Sequence, residues 1–246
     1  MRRGRSVGVS PELEPLDVDS TESIDRQVYQ AIRRALMSGT ILPGARLSTR
    51  SIAAALGVST SPVRDSFKRL DEAGALKSVA KSAFVVHDLS IDEYREMVAL
   101  RKRLEGLMVR EAVARISAEE IERVRWLLSR MQSSTDPKQI LHHNFRLHFI
   151  IYRAAAMPYA LSVVENMWLR VGPSWHRSKA DPVTLKFHHL AQLVQALAAR
   201  NPDAAEAALC SDIVANAEAM FGSAWNEAVS RRNNSAGQSA ERSDPS

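Results

Sequence analysis

From Ile91 onward the chain is punctuated as a succession of helices, and this punctuation limits the fold more than any other feature. Ser117-Ala-Glu-Glu120 is a capping box, in which serine and glutamate satisfy each other's otherwise unpaired helix-start amides. Asp136-Pro137, Asp181-Pro182 and Asn201-Pro202 each set a capping side chain before a proline at the first helical position, where the missing N–H is no loss. The pattern predicts helices near 91–115, 118–132, 137–156, 158–170, 183–199 and 202–226. Short connections between amphipathic helices point to an antiparallel bundle, with 171–181 as its longest loop. Ten glycines and ten prolines in 246 residues are too few for a turn-rich all-β fold.

The first third reads differently. Ile24, Val28, Ile32 and Leu36 recur at helical spacing and stop at Gly39. A short helix is expected from Thr49 to Leu56, ended by Gly57, and a second from a Ser61-Pro62 start to Ala73, ahead of Gly74. Two β-type runs, 76–79 and 83–86, flank the polar Lys81-Ser82 and read as a hairpin. Helix, short helix, turn, helix and hairpin is the order of a winged helix-turn-helix, in which the second helix of the pair enters the major groove. The expected fold is therefore mainly α: an N-terminal winged helix-turn-helix with a small β-hairpin wing, then an all-α antiparallel helical bundle. The expected domains are a flexible arm over 1–20, the DNA-binding module over 21–88, a helical effector-binding and dimerisation domain over 89–228, and a disordered tail over 229–246.

Charge agrees with that division. Residues 21–88 carry ten Lys/Arg against six Asp/Glu, whereas 89–230 carry seventeen against sixteen. A basic module beside a nearly neutral one suits contact with a polyanion. Arg50, Arg64, Lys68 and Lys81 offer charge to phosphates or base edges, and Arg64 lies one turn into the reading helix. Thr60 and Ser61, with the amides of the helix start, can hold a phosphate oxygen. The single cysteine, Cys210, excludes an internal disulfide and a multi-thiolate zinc finger. No uncharged apolar run approaches the ~18 residues that span a bilayer, so no membrane contact and a cytoplasmic location are expected.

Leu42-Pro-Gly-Ala-Arg-Leu47, Leu56-Gly-Val-Ser59, Pro62-Val-Arg-Asp65 and Arg69-Leu-Asp-Glu-Ala-Gly-Ala-Leu76 together resemble the GntR family of bacterial transcriptional regulators. The helical remainder is similar to that family's FadR-type, or FCD, effector-binding domain. The resemblance implies DNA contacts from Arg50 and Arg64. Thr60 stands where the family usually has another arginine, and Lys81-Ser82 replaces a common Arg-Gly in the wing.

Within the bundle, three helices place polar residues on apolar faces. Asn144 and His148 stand at i,i+4 on one stripe, His189 precedes Leu193 by a turn, and Asp212 interrupts the face of the last long helix. Buried together they would have to share a ligand, a metal or a hydrogen-bond network. Arg101 lies on the stripe Tyr94, Met97, Leu104, Met108 and calls for a carboxylate, either Glu105 four residues on or an acidic effector. The candidate effector residues are therefore Arg101, Asn144, His148, His189 and Asp212. Trp168, Trp175 and His176 near the long loop are candidates to close a pocket, with aromatic core packing as the default reading.

The resemblance implies more. Many FCD domains hold a divalent metal through Asp or Asn, a His four later and two further His on the last two long helices. Asn144 and His148 match the first pair; Leu190 is in register for the next, with His189 one residue off, and Asp212 replaces the last. Asn144, His148, His189 and Asp212 thus form an altered candidate site for Zn, Ni or Mn. The implied function is a homodimeric regulator, by family habit a repressor, on a palindromic double-stranded DNA operator, controlled by a small organic acid. The alternative is a metal-dependent hydrolase using the His/Asp cluster. Against it stand the lack of a His-Glu-x-x-His, a Gly-rich phosphate loop and a nucleophile elbow. The expected protein is not an enzyme.

Overall fold

The structure is a computed structural model and describes residues 13–17, 19–80, 83–177 and 187–229. It divides into two compact units. One holds the chain up to Asp88 together with Glu165–His176; the other holds Leu89–Val164 and the chain from Arg177 on.

The first unit is built on α1 (Ile24–Met37), β1 (Arg46–Ser48), α2 (Thr49–Leu56), α3 (Thr60–Glu72), β2 (Leu76–Ala80) and β3 (Ala83–Val86). Val28, Ile32 and Leu36 of α1 are fully buried, and α1 packs on α3. The hairpin strands pair antiparallel as expected, and β1 adds a third strand on the far edge of β3, with Leu47 opposite Phe84. Three residues are too few to show alternation, so periodicity alone passes this strand by. Phe67 of α3 meets Phe84 at a tilt, with ring centroids 5.0 Å apart, tying helix to wing. The α3 start corrects one expectation: Ser59 is the N-cap and the helix begins at Thr60, so Pro62 sits third rather than first. That position still lacks an intrahelical acceptor, and the missing N–H costs nothing there.

In the described part of the arm, two contacts to α1 are formed. Glu14 pairs with Arg34 of α1 at 2.8 Å, and the Asp17 amide donates to Gln27 Oε1 at 3.0 Å.

Residues 165–176 join this unit through the second half of α7 (Pro158–Val171) and a 3-10 helix, Gly172–Arg177, where the sequence predicts a loop. Fully buried Trp168 meets Trp175 edge to face at 4.8 Å, which fastens the 3-10 turn to the helix before it. A Cβ on Gly172 would run into the Leu36 carbonyl and lie 2.8 Å from that of Met37, so only glycine permits this backbone-to-backbone approach. Both tryptophans thus serve the packing of the first unit, as aromatic core residues do.

The second unit comprises α4 (Ile91–Arg115), α5 (Ala118–Ser133), α6 (Pro137–Ala154), the first turns of α7, α8 (His188–Ala198) and α9 (Pro202–Phe221). Four of their starts are capped by local chemistry: α4 and α5 by capping boxes at Ser90 and Ser117, and α6 and α9 by Asp136 and Asn201 side chains that accept from Lys138 N and Ala204 N. The last predicted helix is interrupted at Gly222 (φ +56°) and resumes over 223–229. Asp181-Pro182 and residues 230–246 lie outside the described residues. Five helices close a ring in which each packs on two neighbours, in the order α4, α6, α5, α8, α9 and back to α4. Among the described residues no helix is long and apolar enough to cross a membrane.

Candidate functional site

Two places in the fold carry chemistry. The first is α3. Gly57, in the left-handed conformation at φ +67°, ends α2 and turns the chain sharply into Ser59 and α3. Val63, Phe67 and Leu70 are fully buried on one side of α3, while Ser61, Arg64, Asp65 and Lys68 face solvent on the other. Arg64 and Lys68 are one turn apart and so share that face. Lys68 is drawn only loosely to Asp65, at 3.7 Å, and both side chains are well exposed. Arg50 is exposed on α2, and Thr60 and Ser61 occupy the first turn of α3 with its unpaired amides. Lys81 lies outside the described residues. Two further cations are exposed on the sheet and escaped the sequence reading, Arg46 on β1 and Lys77 on β2. Arg46 sits inside the motif 42–47, but its outward direction shows only once Leu47 is known to be buried. Arg69 is engaged otherwise, 3.7 Å over the Tyr29 ring.

The second place is the inner side of the helical ring. Arg101 and Glu105 of α4 form a bidentate pair, with Nε to Oε1 at 2.7 Å and Nη2 to Oε2 at 3.1 Å, and both are buried. Of the two partners foreseen for Arg101, the internal glutamate is the one present. Tyr152 of α6 donates its hydroxyl to Glu105 Oε2 at 2.6 Å. Burial opposes the Arg101 charge, yet the adjoining Glu105 carboxylate more than compensates and the guanidinium pKa stands above its ordinary value. Burial, reinforced by Glu105, likewise pushes the Tyr152 phenol well up. Tyr152 was not foreseen, although it lies one turn beyond His148 on the same helix.

His148 of α6 is buried, and Nδ1 meets the Asn144 backbone carbonyl at 2.9 Å. If that nitrogen carries the proton, Nε2 is left as the acceptor, and it faces Asp212 Oδ2 of α9 at 3.8 Å. Asn216, four residues on from Asp212, donates to the same oxygen at 2.9 Å. Burial lowers the His148 pKa and raises that of Asp212. The remaining candidate, half-buried His189, turns to Gln192 Oε1 of its own helix at 3.3 Å, yet lies near enough for its charge to lower the Asp212 pKa.

As the side chains stand, this donor set is incomplete for a divalent ion. Among the described residues no three His, Cys, Asp or Glu side chains stand close enough to hold one. His148 and Asp212 approach each other, and Leu190, in register for a further ligand, is buried hydrocarbon.

The comparisons follow the same division. Residues 24–86 match the gntR family of bacterial regulatory proteins, and residues 96–215 match the FCD domain. The chain is 30% identical over 171 residues to the HTH-type transcriptional regulator McbR of Escherichia coli K12, covering 68% of this chain and 77% of McbR. It is 26% identical over 200 residues to the HTH-type transcriptional repressor RspR of the same organism, covering 78% and 86%. The solved structure of E. coli McbR/YncC superposes with a TM-score of 0.74 at 28% identity, covering 80% of this chain and 96% of that one. With the reading module and the helical ring each matched in order, the chain belongs to the GntR family of bacterial transcriptional regulators, in its FCD-bearing branch.

Proposed function

We propose that the protein is a cytoplasmic, ligand-responsive repressor that binds a palindromic operator as a homodimer through α3. The observation that carries this reading is the two-sided character of α3, a fully buried apolar edge backed by the wing and an exposed edge bearing Arg64 and Lys68. Such a helix is held rigidly by one side and presents side chains to a groove with the other. A palindrome follows from two-fold pairing, because each copy reads one half-site. Repression is favoured by the likeness to RspR.

The test is a duplex selected from a random DNA pool by the wild-type protein, followed by binding at two salt concentrations. Arg64→Ala is expected to weaken binding by about 1–3 kcal/mol and relax the preference at one base position per half-site. Lys68→Ala is expected to weaken all sequences alike and lower the salt slope by about one. If Arg64→Ala keeps full sequence preference, α3 does not read bases as described.

The ring interior supports an effector seat. Arg101 and Glu105 cancel each other's charge, and Asp212 adds a carboxylate beside His148. A free organic acid would meet that carboxylate without an uncommitted guanidinium, so these groups suit a small molecule that donates hydrogen bonds, a hydroxyl or an amine, better than an acid. Only a ligand that favours one arrangement of the DNA-reading dimer can act as a switch. Thermal shift with matched hydroxylated, amine and carboxylic-acid probes is expected to favour the first two, and to lose that response in Asp212→Ala. A response to acids alone would restore the organic-acid reading.

A further inference from the structure

The carboxyl end of α3 is finished by a residue almost a hundred positions away. The amides of Ala73, Gly74 and Ala75 close back on the carbonyls of Arg69, Asp71 and Leu70, and the Ala73 carbonyl itself goes to Arg170. Two guanidinium donors converge on that oxygen, Nε at 3.1 Å and Nη2 at 2.8 Å. A cation is well placed there, because the last carbonyls of a helix carry partial negative charge. Gly74 makes room for it: besides its positive φ of 72°, a Cβ would lie 2.6 Å from Arg170 Nη2. Five residues earlier on α7, Glu165 holds Arg33 of α1 at 2.6 Å, with both side chains mostly buried. The same segment therefore grips both helices of the reading module that pack on each other.

We propose that Arg170 is a positioning residue for DNA recognition, acting with the Arg33–Glu165 pair to fix the pitch of α3, so that the reading module comprises 24–88 and 165–176. The inference rests on α3 being the DNA-reading element. Its physical basis is leverage. Arg64 lies nine residues from Ala73, about 13.5 Å along the axis, so a tilt of about 5° at the capped end moves its Cα by about 1 Å. A bidentate contact to a base edge does not survive a displacement of that size, whereas contacts to phosphates adjust.

The experiment measures fluorescence anisotropy with the full-length protein, on the duplex selected by wild type and on a scrambled duplex of equal length. Arg170→Ala is expected to lose about tenfold in preference for the selected duplex while its affinity for the scrambled one is unchanged. Arg170→Lys, which keeps the cation at the helix end, is expected to recover part of the preference. Glu165→Arg is expected to reproduce the loss, and Arg33→Glu combined with Glu165→Arg to reverse it. Unchanged preference in Arg170→Ala overturns the proposal. So does a parallel loss on both duplexes that tracks a fall in thermal stability, since that would mark a purely structural role. If the wild-type protein enriches no duplex at all, the reading of α3 falls, and the positioning role with it.

Discussion

Glu105→Ala is expected to lower stability by about 3–5 kcal/mol, the largest loss from any single side chain on the inner side of the helical ring. The change leaves the Arg101 guanidinium buried, at 3% exposure, without the carboxylate that accepts two of its donors. It also strips the Tyr152 hydroxyl of its acceptor. Chemical denaturation followed by far-ultraviolet circular dichroism measures the effect. The informative control is Arg101→Met combined with Glu105→Leu, which removes both charges and keeps the volume. That double variant is expected to fall within about 1–2 kcal/mol of wild type, because the desolvation of two ions disappears together with their attraction. If Glu105→Ala proves as mild as the double variant, the guanidinium has another route to satisfaction and the pair is not the anchor described.

Trp168→Ala is expected to cost about 3–5 kcal/mol, and to do so in the DNA-reading unit although the residue lies eighty positions beyond that unit's last strand. Its ring is fully buried and set edge to face against Trp175, so truncation opens a large cavity and frees the 3-10 helix it holds. Hydrogen exchange resolved by peptide locates the loss: amides of α1 and α3 should lose protection more than those of α4, α8 and α9. Loss confined to the ring helices would mean that the segment belongs to the other unit.

What could be read from the residues alone follows the range of the forces involved. Helix starts at Ser117, Asp136 and Asn201 are local events settled within four residues, and they appear where the capping chemistry puts them. The exposed face of α3 was equally legible, since a 3.6-residue period separates Arg64 and Lys68 from Phe67 and Leu70. The interior network was half legible. Arg101, His148 and Asp212 declared themselves as polar residues on apolar stripes, but which acid Arg101 takes depends on rotamers that no pattern records. Tyr152 and Asn216 passed as ordinary helix residues. The 3-10 helix after α7 was misread as loop because Gly172-Pro-Ser is turn-forming composition, and its order comes from tryptophan packing and a glycine pressed against α1. The grip of Arg170 on Ala73 is long-range and invisible to any local rule.

The attachment of 165–176 to the reading module bears on how such proteins are dissected. A gene fragment that stops at Asp88, where the first unit's chain hands over to α4, would deliver the groove-facing helix stripped of its distal stay. Arg33 would lose its carboxylate, the Ala73 oxygen its two donors, and the seat of the tryptophan pair would open to solvent as a greasy scar. Chimeras that transplant residues 1–88 onto a foreign sensor inherit the same defect unless the recipient brings its own version of the strut.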